Sequence, residues 1–209
     1  MSTSKRAGDR RKRADGQRTR QAILDTSVRL ATVEGLEGLS IGNLAEATGV
    51  SKSGLYAHFG SKEELQLATV ETARQLFIDV VIVPALEVDG LERLDRLCES
   101  FLSYVEQRTL PGGCFFAAAA AELGGRSGPV RERVAAYQHE WIGLLAAAAE
   151  TALSSGELKA DTDLPILVFE LNALVIAANS AFILHDDPEV IDRARAAVSR
   201  VLAAASRGS

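Results

Sequence analysis

Lys52, Ser53, Tyr56 and His58 stand within one stretch of seven residues, with no carboxylate among them. A cation, two hydroxyls and an imidazole placed so closely supply donors for phosphate oxygens and for the edges of bases. Their neighbours show what would position them. Ser51 can cap a helix in which Leu55 and Phe59 recur at i,i+4 and pack inward, and the four polar residues fall largely off that stripe. Upstream, Ser40 can cap a helix carrying Ile41, Leu44, Ala45 and Thr48 on one face. Gly49 can take the left-handed conformation that ends that helix and turns the chain. Downstream, Ser61-Lys62-Glu63-Glu64 is a capping box that opens a further helix, with backbone N–H groups and Lys62 at its start. Two short helices joined by a tight turn, then a third helix start, make a helix-turn-helix reader over residues 40–59.

Charge is distributed as such a reader requires. The 209 residues carry a net charge of −5, yet residues 1–20 hold eight basic side chains (Lys5, Arg6, Arg10, Arg11, Lys12, Arg13, Arg18, Arg20) against Asp9 and Asp15, leaving −11 for the rest. An acidic body is repelled by DNA, so contact has to be local, through a basic arm over residues 1–16 and the adjacent motif. Such an arm can follow phosphates or reach into a minor groove.

The pattern Ile23-Leu24, Gly35, Ser40-Ile41, Ala45, Gly49-Val50-Ser51, Leu55-Tyr56, His58-Phe59, Lys62-Glu63-Glu64-Leu65 resembles the DNA-binding domain of the TetR family of bacterial transcriptional regulators, in register over residues 17–77. Ala31 departs from it, since many members carry a large residue there, and this implies a repacked first helix. The resemblance implies that double-stranded DNA is the partner and that the third helix lies in the major groove. Lys52, Ser53 and Gly54 would approach bases and backbone there, with Ser51 at the helix start. Tyr56 would donate to a phosphate, His58 would do likewise or read a base edge, and Ser40 and Lys62 would clamp phosphates from flanking helix starts. It also implies a homodimer on a palindromic operator, with a small-molecule effector that changes the spacing of the two heads.

The remainder reads as helix throughout. Hydrophobic content is 47% with only 5% aromatic, and the excess of alanine and leucine favours helices over strands. Apolar periodicity gives a first helix from about Gln17 to Glu34, a fourth from Lys62 to near Pro84 and a fifth over 89–108. Further helices follow over 114–123, 129–154, 163–185 and 188–205. The expected fold is all-α, about nine helices: a three-helix reading domain over 17–77 and a larger regulatory and dimerisation domain over 78–209. Helices eight and nine carry more apolar surface than one subunit can cover, with Ala173, Ala177, Ala178, Ser180 and Ala181 on one and Val190, Ile191, Ala194, Val198, Val201 and Leu202 on the other. A two-fold four-helix interface is the natural solution.

Candidate lining for an effector pocket comes from aromatic or polar residues at otherwise apolar positions: Phe77, Phe101, Tyr104, Phe115, Phe116, Tyr137, Trp141, Asn172, Ile176 and Asn179. Such a lining suits a small, flat, largely apolar molecule. Asn172 and Asn179 lie seven apart, and a hydrogen bond across the dimer interface explains them as well as a ligand does. The sequence argues against catalysis, because Glu122 and Glu170 are isolated acids and no nucleophile–base set appears. The turn at 124–129 lacks the Lys-Ser/Thr ending of a phosphate loop. No cofactor is expected, and no metal either, since His58, His139 and His185 lie on different helices without ligand spacing. Cys98 and Cys114 read as reduced, buried thiols. The start of the chain is charged, without the apolar core of a secretory signal. The apolar stretch 164–184 contains Glu170, Asn172 and Asn179 and is bracketed by aspartates, so it reads as a buried helix and not a membrane span. A soluble, cytoplasmic regulator is the resulting expectation, with an effector-independent DNA binder of the same fold as the alternative.

Overall fold

The computed structural model describes residues 3–207, and side chains from residue 14 onward. Among the described residues nine α-helices run in the order α1 (Thr3–Glu34), α2 (Ile41–Thr48), α3 (Lys52–Phe59), α4 (Lys62–Phe77), α5 (Gly90–Glu106), α6 (Phe115–Leu123), α7 (Pro129–Ser154), α8 (Leu164–His185) and α9 (Glu189–Ala205). Among the described residues there is no strand, only an isolated bridge between Leu158 and Ser206.

The first helix begins at Thr3, not near Gln17, so residues 3–16 continue its backbone. Arginine, lysine and alanine are strong helix formers. Local bonds reinforce them: Arg18 pairs with Asp15, and the Thr19 hydroxyl donates to the Asp15 carbonyl at 3.0 Å. The side chains of Lys5, Arg6 and Arg10–Arg13 lie outside the described residues, and with them most of the expected arm contact.

Helices α2 and α3 have eight residues each, too few to persist alone. Caps and burial hold them. Ser40, Ser51 and Ser61 each accept the backbone N–H three residues on, at 3.0–3.1 Å, and each cap is worth about 1 kcal/mol. Gly49 sits at φ +69 and closes α2 by donating to the Ala45 carbonyl. Leu44, Leu55 and Phe59 drive into a small core with Ile23, Leu24 and Leu65. Each such burial contributes roughly 1.5–3 kcal/mol.

That core is not isolated from the larger one. Further along α1, Val28 and Ala31 belong to the body core, as do Val70, Ala73 and Phe77 of α4. Two helices therefore serve both units. Ala31 is buried on the stretch of α1 that approaches the α5–α6 loop closely enough for Gly112 N–H to reach the Thr32 hydroxyl at 3.1 Å.

Helical winding past α4 continues to Ala85 but changes pitch, through a π-turn at Ile78–Ile82 and a short 3-10 turn at Val83–Ala85. Pro84 has no N–H to give the Val80 carbonyl, so regular winding fails ahead of it. Helices α5, α7, α8 and α9 pack together as the body bundle. Arg195 of α9 donates to Glu99 at 2.9 Å and to Glu106 at 2.7 Å on α5. Burial pushes the Glu99 carboxyl up, but the Arg195 and Ser103 hydrogen bonds outweigh it and hold it below its ordinary value.

Helix α8 is long and apolar enough to cross a membrane by composition. It packs instead against α5, α7 and α9, burying Leu167, Leu171, Val175, Ala178 and Phe182.

Two expectations follow. A Cβ on Gly112 would lie 1.8 Å from the Thr32 carbonyl oxygen, so Gly112→Ala should cost about 2–3 kcal/mol, seen as a clear drop in the thermal midpoint. An unchanged midpoint would refute the close approach. Burial pushes the Cys114 thiol up to about 11 and, with Asp95 and Glu99 adding to it, the Cys98 thiol up to about 12. Neither should react with a thiol reagent at neutral pH until the protein is unfolded.

Candidate nucleic-acid interface and body cavity

Leu55 and Phe59 turn one side of α3 inward, so the opposite side faces solvent. Ser51, Lys52, Ser53, Tyr56 and Ala57 are exposed there, Tyr56 by 55%. Ala57 was not among the residues the sequence singled out. It lies near the middle of this face, and a methyl group there is suited to a thymine methyl. Its position opposite Leu55 and Phe59 is the signal that could have found it.

The structure alters the reading of three neighbours. Gly54 is half-buried, and a Cβ there would meet Val50 Cγ1 at 3.0 Å and Ser51 Oγ at 3.2 Å. The missing side chain therefore relieves the turn of the motif itself. His58 is half-buried on the flank, its ring tilted against Phe59 at 6.2 Å, in a cleft shared with Arg20, Glu64 and Glu71. Lys62 is exposed but already engaged: its ammonium donates to the Glu37 carbonyl at 2.7 Å and lies 3.5 Å from the Glu37 carboxylate. Burial pushes the Glu37 carboxyl up, but Lys62 and Gln66 together hold it below the usual range. Ser40 keeps its hydroxyl at the surface while its oxygen caps α2.

The turn between α1 and α2 is gripped from two sides. Gly35 there is at φ +80. The Glu122 carboxylate, near the end of α6, accepts Leu36 N–H at 2.7 Å and Glu37 N–H at 2.8 Å. From α4, the Gln66 amide donates to the Leu36 carbonyl at 2.8 Å. A Cβ on Gly35 would sit 2.9 Å from both Glu122 oxygens, so glycine is what lets the carboxylate in. An acid that looked isolated in sequence thus joins body to head.

A cavity of about 880 Å³ lies in the body among α4, α5, α6, α7 and α8. Seven of the ten residues named from sequence line it: Phe77, Phe101, Phe116, Tyr137, Trp141, Asn172 and Ile176. Phe77 meets Phe101, Phe116 and Trp141 edge-on at 5.5–6.1 Å. The Trp141 indole N–H donates to Asn172 Oδ1 at 3.0 Å. At one side Arg74 donates through two nitrogens to Glu140, at 2.9 and 3.0 Å, while lying over the Tyr137 ring. Tyr137 in turn donates its hydroxyl to Glu71 of α4, which also pairs with Arg133.

The other three do not line it. Tyr104 and Phe115 are packed into the core, Tyr104 edge-on to Phe77, and burial pushes its phenol well up. Asn179 is buried under the start of α6, where its Oδ1 accepts Cys114 N–H at 2.8 Å. Gly113, at φ +78, makes room for it. Both asparagine side-chain oxygens thus accept a hydrogen bond within the chain. Arg74, Gln138, Ala117 and Ala120 line the cavity without having been singled out; none is an aromatic or polar interruption of an apolar stripe.

With this geometry in view, residues 23–69 match the profile described as bacterial regulatory proteins, tetR family. Residues 90–198, just over half of the chain, match the tetracyclin repressor-like C-terminal domain. The transcriptional regulator AcrR of Shigella flexneri is 39% identical over 56 residues, 27% of this chain and 26% of its own length. The regulator LmrA of Bacillus subtilis is 30% identical over 129 residues, 59% of this chain and 66% of its own. The chain thus spans only about a quarter of AcrR. The crystal structure of a TetR transcriptional regulator from Chloroflexus aurantiacus superposes with a TM-score of 0.86 at 26% identity, covering 94% of this chain and all of that one. The chain belongs to the TetR family and is a DNA-binding transcriptional regulator, not an enzyme.

Proposed function

We propose that this regulator is a ligand-responsive repressor of the cytoplasm, which holds a palindromic operator as a dimer and lets go when a small, largely apolar effector enters the body cavity. The observation that carries this reading is the double membership of α4. Lys62 and Leu65 at its start belong to the head, while Arg74 and Phe77 at its end line the cavity, about 22 Å away along the axis. A molecule that displaces Phe77 moves a lever whose other end bears on α3. Helix α6 offers a second route, because Ala117 and Ala120 line the cavity while Glu122 holds the α1–α2 turn. Repression is favoured by the likeness of the body to the tetracyclin repressor-like domain. The alternative of an effector-independent DNA binder would go with a filled body, and the cavity speaks against it.

Contact with DNA runs through the exposed face of α3. Lys52 and Tyr56 supply phosphate contacts and Ser53 approaches base edges. Gly54 and His58 shape the flank, and the Ser40, Ser51 and Lys62 side chains border the backbone. Dimerisation runs through α8 and α9, and the outer face of α8 exposes Ile166, Phe169 and Leu184, the last two by more than 70%. Large apolar side chains exposed so fully along one helix mark a contact surface.

Against a duplex selected from random sequence, Lys52→Ala should weaken binding alike on all sequences and reduce the slope of log affinity against log salt by about one. Unchanged affinity and slope would remove Lys52 from the interface. The parent should have a dimer mass by light scattering at micromolar concentration, and Phe169→Glu should convert it to a monomer without unfolding it. A monomeric parent would refute the α8–α9 interface.

A further inference from the structure

The polar groups of the cavity point to a narrower class of ligand, on the reading that the cavity is the effector site. Two of its charged side chains, Arg74 and Glu140, are spent on one another through a paired hydrogen bond. His139 faces solvent. That pair is solvent-exposed, so an ion carried past it into the cavity would sit against aromatic walls without a counter-charge, which is costly away from water.

Asn172 supplies the directional contact. An indole N–H can only donate, so its bond to Asn172 fixes which end of that amide is oxygen and which is nitrogen. Among the described residues the Asn172 NH2 donates to no protein acceptor, so a donor is left open on the cavity wall. Gln138 complements it: its amide nitrogen reaches the Phe116 carbonyl at 3.4 Å, leaving its oxygen free to accept. We propose that the cavity selects uncharged aromatic molecules bearing a carbonyl-type acceptor, which the Asn172 amide engages while Trp141 holds that amide in orientation.

Trp141 is the single tryptophan of the chain and lies on the cavity wall, so its fluorescence reports occupancy directly. The test titrates the intact dimer with four probes of similar ring area: fluorenone, fluorene without the carbonyl, a fluorene carboxylate and an aminoacridinium cation. Fluorenone should quench Trp141 saturably and bind about five- to tenfold more tightly than fluorene, the range of one net hydrogen bond, with both ions weaker still. Asn172→Leu should abolish the preference for fluorenone while leaving fluorene binding intact. Asn172→Asp keeps an acceptor for Trp141 but offers the ligand no donor, and it should reverse the preference. Equal binding of fluorenone and fluorene by the parent, or tighter binding of either ion, would overturn the ligand class and leave the effector site standing. If none of the four alters Trp141 emission, both this inference and the effector reading fall.

Discussion

One carboxylate of the body pins the turn that leads into the reading head. Glu122 accepts two consecutive backbone N–H groups from the turn between α1 and α2, and the approach is possible only because residue 35 is glycine. Hydrogen bonds to an ionised acceptor are worth about 1.5–3 kcal/mol each when sheltered, and these are partly open to water, so the pair contributes less than their sum. The importance of the contact lies in its place. The same turn takes Gln66 from α4 on its carbonyl side and Lys62, also from α4, on the next carbonyl, so side chains from two helices fix both peptide groups of Leu36 and Glu37. Any change in the relation of α6 to α4 must be felt at the turn, and the turn leads directly into α2.

This arrangement also explains why the head cannot be regarded as a separate domain on a string. Its own core rests on six buried side chains, whereas the C-terminal end of α1 and the second half of α4 are buried with the body. The head is stable because the body completes two of its helices. The α3 face and the cavity lining share no residue, so either can be altered without the other, provided α4 and the α1–α2 turn keep both ends connected.

Much of this was legible in the chain, and the boundary of legibility has a physical cause. The caps at Ser40, Ser51 and Ser61 and the turn at Gly49 act within three or four residues, so their chemistry is written locally. The aromatic lining at Phe77, Phe101, Phe116 and Trp141 could be found because aromatics on the apolar stripe of a helix have to pack against something. Glu122 could not, since its partners lie 85 and 86 residues away and a lone glutamate gives no sign of what it will accept. Nor does the sequence show that the Lys62 ammonium is held by Glu37 across a turn. Asn179 gave a buried-amide signal without saying that it would cap α6 and not face a ligand. The early start of α1 was missed because a basic segment looks solvated whether or not its backbone is helical.

The claim that cavity and reading face are joined at the α1–α2 turn is tested most directly by amide hydrogen exchange at Leu36 and Glu37, in the parent protein and in Glu122→Ala. Both amides should exchange slowly in the parent and at least about tenfold faster in the variant, while the amides of Leu44 and Leu55 in the head core keep their protection. Equal rates at Leu36 and Glu37 in the two proteins, or a loss of protection spread evenly through the whole head, would contradict the account.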